Sequence, residues 1–287
     1  MIEVLDPGVL TLVQDLGRPG LAALGVGRSG AADRPALALA NRLVGNAESA
    51  AALELTFGGL RLRCHRGVWV ALTGAPAPLR VGRRAAAAHA PVYVPAGTVL
   101  TVGHPDHGLR SYLAFRGGLD VPPVLGSRAS DVLSGIGPEK LTQGTRLALG
   151  GEIEGHPTVD IAPVAALAEE PVLRVLLGPR QDWFTAHAAR ALCSGAYQVS
   201  PASNRIGVRL AGPRLDRARE GELAPEGMVG GALQVPPNGQ PVLFLADHPV
   251  TGGYPVIAVV VDEDLPVAAQ LRPGQRLRFQ CTERTRR

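Results

Sequence analysis

Two segments carry polar residues at spacings that suit binding and activation of a small molecule. In SNRIGVRL, residues 203–210, Arg205 and Arg209 flank Gly207, with Asn204 beside them. A guanidinium on a tight turn presents a planar fork that matches carboxylate or phosphate, and the neighbouring carboxamide can both donate and accept. A plain surface turn entering a strand is the alternative for the same residues. In ALQVPPNGQPVLFLADHPVTGGYPVIAVV, residues 232–260, an apolar run ends on Asp247 and His248, and Thr251, Gly252, Gly253 and Tyr254 lead into a second apolar run. The glycines allow close backbone approach, and Tyr254 can stack or hydrogen-bond. Asp247 is either a ligand group held at a sheet end or the head of an Asx turn that stabilises the loop.

Weaker patterns are discounted on physical grounds. Gly25, Gly27 and Gly30 spell GxGxxG and Glu48 follows at a ribose-binding distance, but no strand runs directly into the first glycine, as a dinucleotide fold requires. The segment reads as a flexible loop feeding a helix, still able to offer backbone N–H groups and Arg28 to a ligand. His104 and His107 in GHPDHG lack further ligands at metal-binding spacing, so no metal is assigned and the segment reads as a polar turn. Ser29 in GRSGA misses the nucleophile-elbow spacing. Lys140 is the only lysine, which removes a P-loop and leaves amidase-type serine and lysine chemistry without a second candidate.

The elements that must position these residues are mostly strands. Apolar or β-branched runs recur at Leu10–Val13, Val68–Leu72, Val92–Val94, Val99–Val102, Tyr112–Phe115, Arg146–Leu149, Leu173–Leu177, Leu233–Val235, Val242–Leu245 and Ile257–Val261. With 36 Gly and 25 Pro as punctuation, the pattern predicts a barrel or sandwich. Asn238-Gly239 predicts a hairpin joining the strand at 232–235 to the one at 242–246. That second strand and the one after Tyr254 are apolar on both faces and should be central. Two helices are expected, one capped by Asp33 with Pro35 in its first turn and Gly45 at its end, the other over Gln181–Leu192. An acidic, Pro- and Gly-containing stretch puts a boundary near residue 165, giving halves 1–165 and 166–287. Each half ends on a strand after a Gly turn, which hints at a duplicated barrel with strand exchange open between the halves.

The 287 residues are 46% hydrophobic and 19% charged, enough for packed cores. There are 29 basic and 25 acidic residues without a long basic cluster and only 4% aromatic residues, so nucleic acid is not an expected partner. The short tail Arg284, Arg286 and Arg287 is the one concentration of positive charge. No window is apolar enough to span a membrane, and MIEVLDPGVLTLVQDLG carries acids where a signal peptide needs a basic segment, so a cytoplasmic location is expected. Cys64, Cys193 and Cys281 are far apart and odd in number, and are expected to be three buried or inert thiols.

Taken in order, VQDLGRPG, GVGRSGAAD, LANRLVGN, LELTFGG, GPRQDWF, SNRIGVRL, QVPPNGQPV and LADHPVTGGYP resemble the family of the C-type 5-oxoprolinase subunits, also called allophanate hydrolase subunit 2 or biotin-dependent carboxyltransferase family protein. The resemblance implies a mainly β fold, a duplicated cyclophilin-like β-barrel with a few short helices. It implies an ATP-hydrolysing heteromer in which this chain and a B-type 5-oxoprolinase subunit phosphorylate 5-oxoproline, while the A-type one completes ring opening to glutamate. ATP, with Mg, would be bound in that complex. A second implied activity is carboxyl transfer from carboxybiotin, supplied in trans, to urea or a similar small amide. A third is a non-catalytic partner that sequesters a kinase inhibitor of the B type.

Carried onto this sequence, the resemblance implies Asp247 and Arg205 as catalytic residues, and Asn204, Gln234, Thr251, Gly252, Gly253 and Tyr254 as the substrate pocket. The chain departs from the family pattern at Ile206 and Val208, where Met and Tyr are usual, and at Pro249, Val250 and Thr251, where Gln-Thr-Thr follows the acid. The amidase-type chemistry of the older family name lacks its serine-rich motif here. No Met-Lys-Met biotin site exists, because neither Met1 nor Met228 adjoins Lys140.

Overall fold

Alternation along the apolar runs requires sheets with one face on a core, and the computed structural model of the chain is mainly β, with three short α-helices among the described residues. It describes residues 1–151, 153–221 and 223–282. The tail arginines Arg284, Arg286 and Arg287 lie outside the described residues. The chain divides into two units, one of Met1–Arg18, Ser29–Asp131 and Gly135–Ala166, the other of Pro19–Arg28, Val132–Ser134 and Leu167–Arg287.

The first unit contains a seven-stranded and a five-stranded sheet. In the five-stranded sheet, Leu10–Gln14, Ala52–Thr56, Arg110–Phe115, Val68–Gly74 and Pro91–Val94 lie side by side. One face of it (Leu53, Leu55, Val70, Leu72, Leu113, Phe115) shares a core with Ile2, Val4, Leu62 and Leu100 of the larger sheet. The alternate residues Ala52, Ala71, Tyr112 and Ala114 face the other way and pack against Leu37, Ala40 and Leu43 of helix α1 (Arg34–Leu43). As the sequence predicts, the Asp33 side chain caps that helix by accepting from the Ala36 N–H at 3.0 Å, and Pro35 lies in its first turn.

The second unit is a closed barrel of seven strands, in the order Val172–Leu177, Val256–Val260, Ala232–Gln234, Val242–Phe244, Gly207–Ala211, Ala196–Val199 and Arg276–Cys281, with the last strand running parallel to the first. Closure leaves no unpaired edge in this sheet. Val208, Leu210, Leu233, Leu243, Ile257 and Leu277 fill the interior, together with residues of helix α2 (Ala186–Ser194). The Asn238-Gly239 hairpin forms with Gly239 at φ 74° and Leu233 opposite Leu243. The two expected central strands each pair on both sides.

Two expectations fail here. The helix expected over 181–192 is broken: a 3-10 turn covers Gln181–Trp183, Phe184 is extended and 6% exposed, and α2 starts afresh after Thr185. Thr185 Oγ1 accepts the Ala188 N–H at 3.1 Å, so a cap and a buried aromatic outcompete a continuous helix. Cys193 and Cys281 are also not free thiols but form a disulfide, Cα–Cα 5.8 Å, because the fold brings α2 alongside the closing strand across 88 residues of sequence. Cys64 is the buried free thiol, and burial pushes its pKa up to about 11.

Candidate functional site

The turn before the strand Gly207–Ala211 is built by Asn204, whose Oδ1 accepts the N–H groups of Ile206 at 2.9 Å and Gly207 at 3.2 Å. Inside the strand, alternation sends Val208 and Leu210 into the barrel and leaves Arg209 exposed on its outer face. Register places Arg209 opposite Val242, and Val242 opposite Gln234. Arg209, Val242 and Gln234 thus form one row across three strands, and at strand spacing its two ends are roughly 10 Å apart.

That row crosses a cavity of about 190 Å³ lined by Asn204, Ile206, Gly207, Arg209, Gln234, Pro236, Val242, Phe244 and Tyr254. Its floor is apolar and its walls hold two carboxamides, a phenol and a guanidinium. Neither the Arg209 guanidinium nor the Asn204 Nδ2 has a partner among the described residues. Gln234 Nε2 donates to the Tyr254 carbonyl at 3.3 Å and packs against Gly252, where an added Cβ would lie 2.6 Å from it. Glycine at 252 therefore preserves the position of that amide. Arg217 holds Tyr254 from the other side, its guanidinium 5.6 Å from the ring centroid, while donating to the carbonyls of Val235 and Gly221.

Arg205 and Asp247 do meet, but in the interior. The Arg205 Nε donates to Asp247 Oδ2 at 2.8 Å and Nη2 to Oδ1 at 2.9 Å, with the two side chains 1% and 0% exposed. Asp247 Oδ2 also accepts the Val132 N–H at 3.1 Å, and the Asp247 N–H donates to the Arg205 carbonyl at 3.1 Å. The pair locks the Asn204 turn to the loop after Val242–Phe244, and neither member lines the cavity. Of the remaining expected residues, Asn204, Gln234 and Tyr254 line it, and Gly252 backs it. Thr251 is exposed and pairs in a short ribbon with Gly227, while the Gly253 carbonyl accepts the Leu223 N–H at 3.0 Å. His248 stacks on Phe244, and its Nδ1 lies 2.8 Å from the Pro249 carbonyl.

The residue the sequence left unassigned is Arg209. Its signal was present in VRL, where flanking Val208 and Leu210 must point inward and so drive the arginine outward. Elsewhere, His104 Nδ1 lies 2.7 Å from the Phe57 carbonyl, and no helix among the described residues is long and apolar enough to cross a membrane.

Residues 24–281 match the carboxyltransferase domain family, subdomain A and B. The chain is 40% identical over 286 residues to the C subunit of 5-oxoprolinase from Escherichia coli K12, covering 98% of this chain and 92% of that protein. Among solved structures it superposes on TTHA0988 with a TM-score of 0.90 at 37% identity, over 97% of this chain but 55% of the other. The urea amidolyase of K. lactis gives a TM-score of 0.89 at 31% identity, with 97% of this chain matched to 18% of that chain. This chain thus spans about half of one solved protein and about a fifth of the other. A match over nearly the whole sequence, on a barrel whose strands carry the motifs above, places the chain in the carboxyltransferase domain family as a relative of the 5-oxoprolinase C subunit.

Proposed function

We propose that the chain is the C-type component of an ATP-dependent 5-oxoprolinase and that the outer barrel cavity receives 5-oxoproline. The observation that carries this reading is the Arg209 guanidinium, without a partner among the described residues, across the same small cavity from Gln234. A lactam with a ring carboxylate complements that row, the carboxylate on Arg209 and the amide on Asn204 and Gln234. Urea is neutral and would leave the guanidinium unmatched. The buried Arg205–Asp247 pair then acts as a positioning device that fixes the Asn204 turn, and Tyr254 closes one wall.

A cavity of about 190 Å³ is too small for a nucleotide, whose pockets fall in the range of several hundred Å³. ATP, with its Mg, therefore belongs to a surface completed by a B-type 5-oxoprolinase partner. The phosphoryl group it supplies would go to the lactam oxygen, and an A-type partner would open the activated ring. What this chain contributes is orientation of the amide and an apolar floor that excludes water. We place this heteromer in the cytoplasm.

Carboxyl transfer from carboxybiotin in trans to a small amide is the second reading, supported by the name of the matching family and by the likeness to urea amidolyase. Co-purification with a genomic neighbour of the B type, followed by ATP hydrolysis assays, separates the two. Turnover stimulated by 5-oxoproline but not urea, with a raised KM in Arg209→Gln, is the expected result. Stimulation by urea with a biotinylated partner would replace it, and a stable complex without turnover would favour the sequestering role.

A further inference from the structure

The segment VQDLGRPG contributes nothing to the barrel cavity, yet in the first unit it builds a second polar centre. Arg18 is 2% exposed and donates from Nη2 to the Ala129 carbonyl. Its Nε and Nη1 have no partner among the described residues. The neighbouring acid makes no direct ion pair with it: Asp15 Oδ1 accepts the Gly17 N–H at 2.8 Å and the Ser127 hydroxyl at 2.6 Å, and Oδ2 accepts the Arg128 N–H at 2.6 Å.

Three more buried polar residues converge there. Gln14, 0% exposed, donates from Nε2 to the Ser130 carbonyl at 2.8 Å, and its Oε1 has no partner among the described residues. Ser29, also 0% exposed, donates to the same carbonyl at 3.2 Å. Ser130 is 3% exposed, and its Oγ has no partner among the described residues. The cluster is held in shape by backbone that few residues would adopt. Ser29 has φ 52°, and Gly30, at φ 90°, packs so closely that a Cβ there would lie 2.6 Å from the Gly17 nitrogen.

A buried charge without a counter-ion is among the costliest arrangements in a protein, and an arginine cannot escape it by losing its proton. The inventory around Arg18 says what would offset it. Guanidinium N–H groups and a serine hydroxyl offer donors to an anion's oxygens, while Gln14 Oε1 is an acceptor for an acidic O–H. Small oxyanions that keep one proton have both faces. We propose that Gln14, Arg18 and Ser130, on a scaffold including Ser29, form a subsite for such an oxyanion, a hydrogenphosphate-type group or hydrogencarbonate. The site uses none of the residues assigned to 5-oxoproline and stands or falls independently of that reading.

The test is titration of the full chain with inorganic phosphate and with sodium hydrogencarbonate at constant ionic strength, read by calorimetry and by Tm, with chloride as control. At least one oxyanion should bind saturably and raise Tm by several degrees, roughly what a ligand well above its Kd gives. Which of the two binds distinguishes the sources. Ser130→Ala deletes an atom that has no partner among the described residues, so its ligand-free Tm should match wild type while its affinity falls roughly 10-fold. Arg18→Met should keep or raise the ligand-free Tm, because an unpaired charge is removed, and lose the response. No response to either anion in wild type, or an undiminished response in both variants, would overturn the proposal. So would a sharp drop in the ligand-free Tm of Arg18→Met together with normal binding by Ser130→Ala, since that pattern marks a purely structural arginine. If Arg18→Met does not fold, Ser130→Ala decides alone.

Discussion

The two units treat polar groups in opposite ways. The first buries many polar or charged residues, including Gln14, Asp15, Arg18, Ser29, Glu54 and Arg110, whereas among the described residues the barrel unit buries, tyrosine aside, only Arg205, Gln234, Asp247 and Gln270. In the first unit much of this polarity anchors the start of α1: Glu54 Oε2 accepts from the Tyr112 hydroxyl at 2.8 Å and from the Ala32 N–H at 3.0 Å, while Tyr112 Oη accepts the Asp33 N–H at 2.8 Å. Burial, and next the Glu54 charge, hold the Tyr112 phenol well above its ordinary pKa, so it remains a donor. The barrel, closed on itself, has an apolar interior and presents polar side chains outward on the face crossed by Arg209, Val242 and Gln234. A closed sheet thus gives a rigid wall for a cavity, while in the first unit buried polar groups gather where the five-stranded sheet meets the start of α1.

Each unit carries one of the chain's two tryptophans, Trp69 in the first and Trp183 in the barrel, so single-tryptophan variants report on them separately. The largest expected effect is Asp247→Ala, which removes the bidentate carboxylate partner of the buried Arg205 guanidinium. Denaturant titration followed at Trp183 should show a loss of roughly 3–5 kcal/mol, and Arg205→Met combined with Asp247→Leu should recover most of it. Equal loss at Trp69 would break the contrast between the units. Next comes the disulfide: reducing Cys193–Cys281, which closes an 88-residue loop, should cost the barrel about 2–4 kcal/mol by the same measurement.

Effects on function without effects on folding sharpen the comparison further. Arg209→Gln should leave stability within about 0.5 kcal/mol, as expected for an exposed position, and raise the KM for 5-oxoproline in the reconstituted complex by roughly 10- to 100-fold. Gly252→Ala should displace only the end of the flexible Gln234 side chain, giving a KM increase of a few-fold with a small change in stability.

The smallest effect concerns pH. Burial lowers the pKa of His89 in the first unit, against the opposing pull of a hydrogen bond with the Gly74 backbone. A base depressed in the folded state contributes stability above its unfolded pKa of about 6.5 and loses it as pH falls through the folded value. Denaturation followed at Trp69 should therefore show a modest decline below pH about 6.5 that His89→Asn removes.

Much of this was legible along the chain. Apolar runs located ten of the strands, though not Ile2–Asp6 or Ala52–Thr56, while Asp33 and Pro35 set the start of α1 and Asn238-Gly239 set the hairpin, because each depends on neighbours a few residues away. Short pieces such as Arg84–Ala86 and Thr251–Gly252 were not, since they lack an apolar face of their own and exist through pairing. The same limit hid the break at Thr185, which depends on where Phe184 is buried.

By itself, then, the sequence determined that the chain is strand-dominated and that it resembles this family, and it pointed to the segments 203–210 and 245–255 as candidate polar sites. Only the tertiary structure decided which arginine is buried and which is presented: Arg205 precedes its strand and turns inward to Asp247, while Arg209 stands on the outer face in one row with Val242 and Gln234. It likewise joined Cys193 to Cys281 and gathered Gln14, Arg18, Ser29 and Ser130. The physical reason is common to all three. Whether a charge or a thiol is paired, buried or presented depends on partners distant in sequence, and their distances are fixed only when the sheets close.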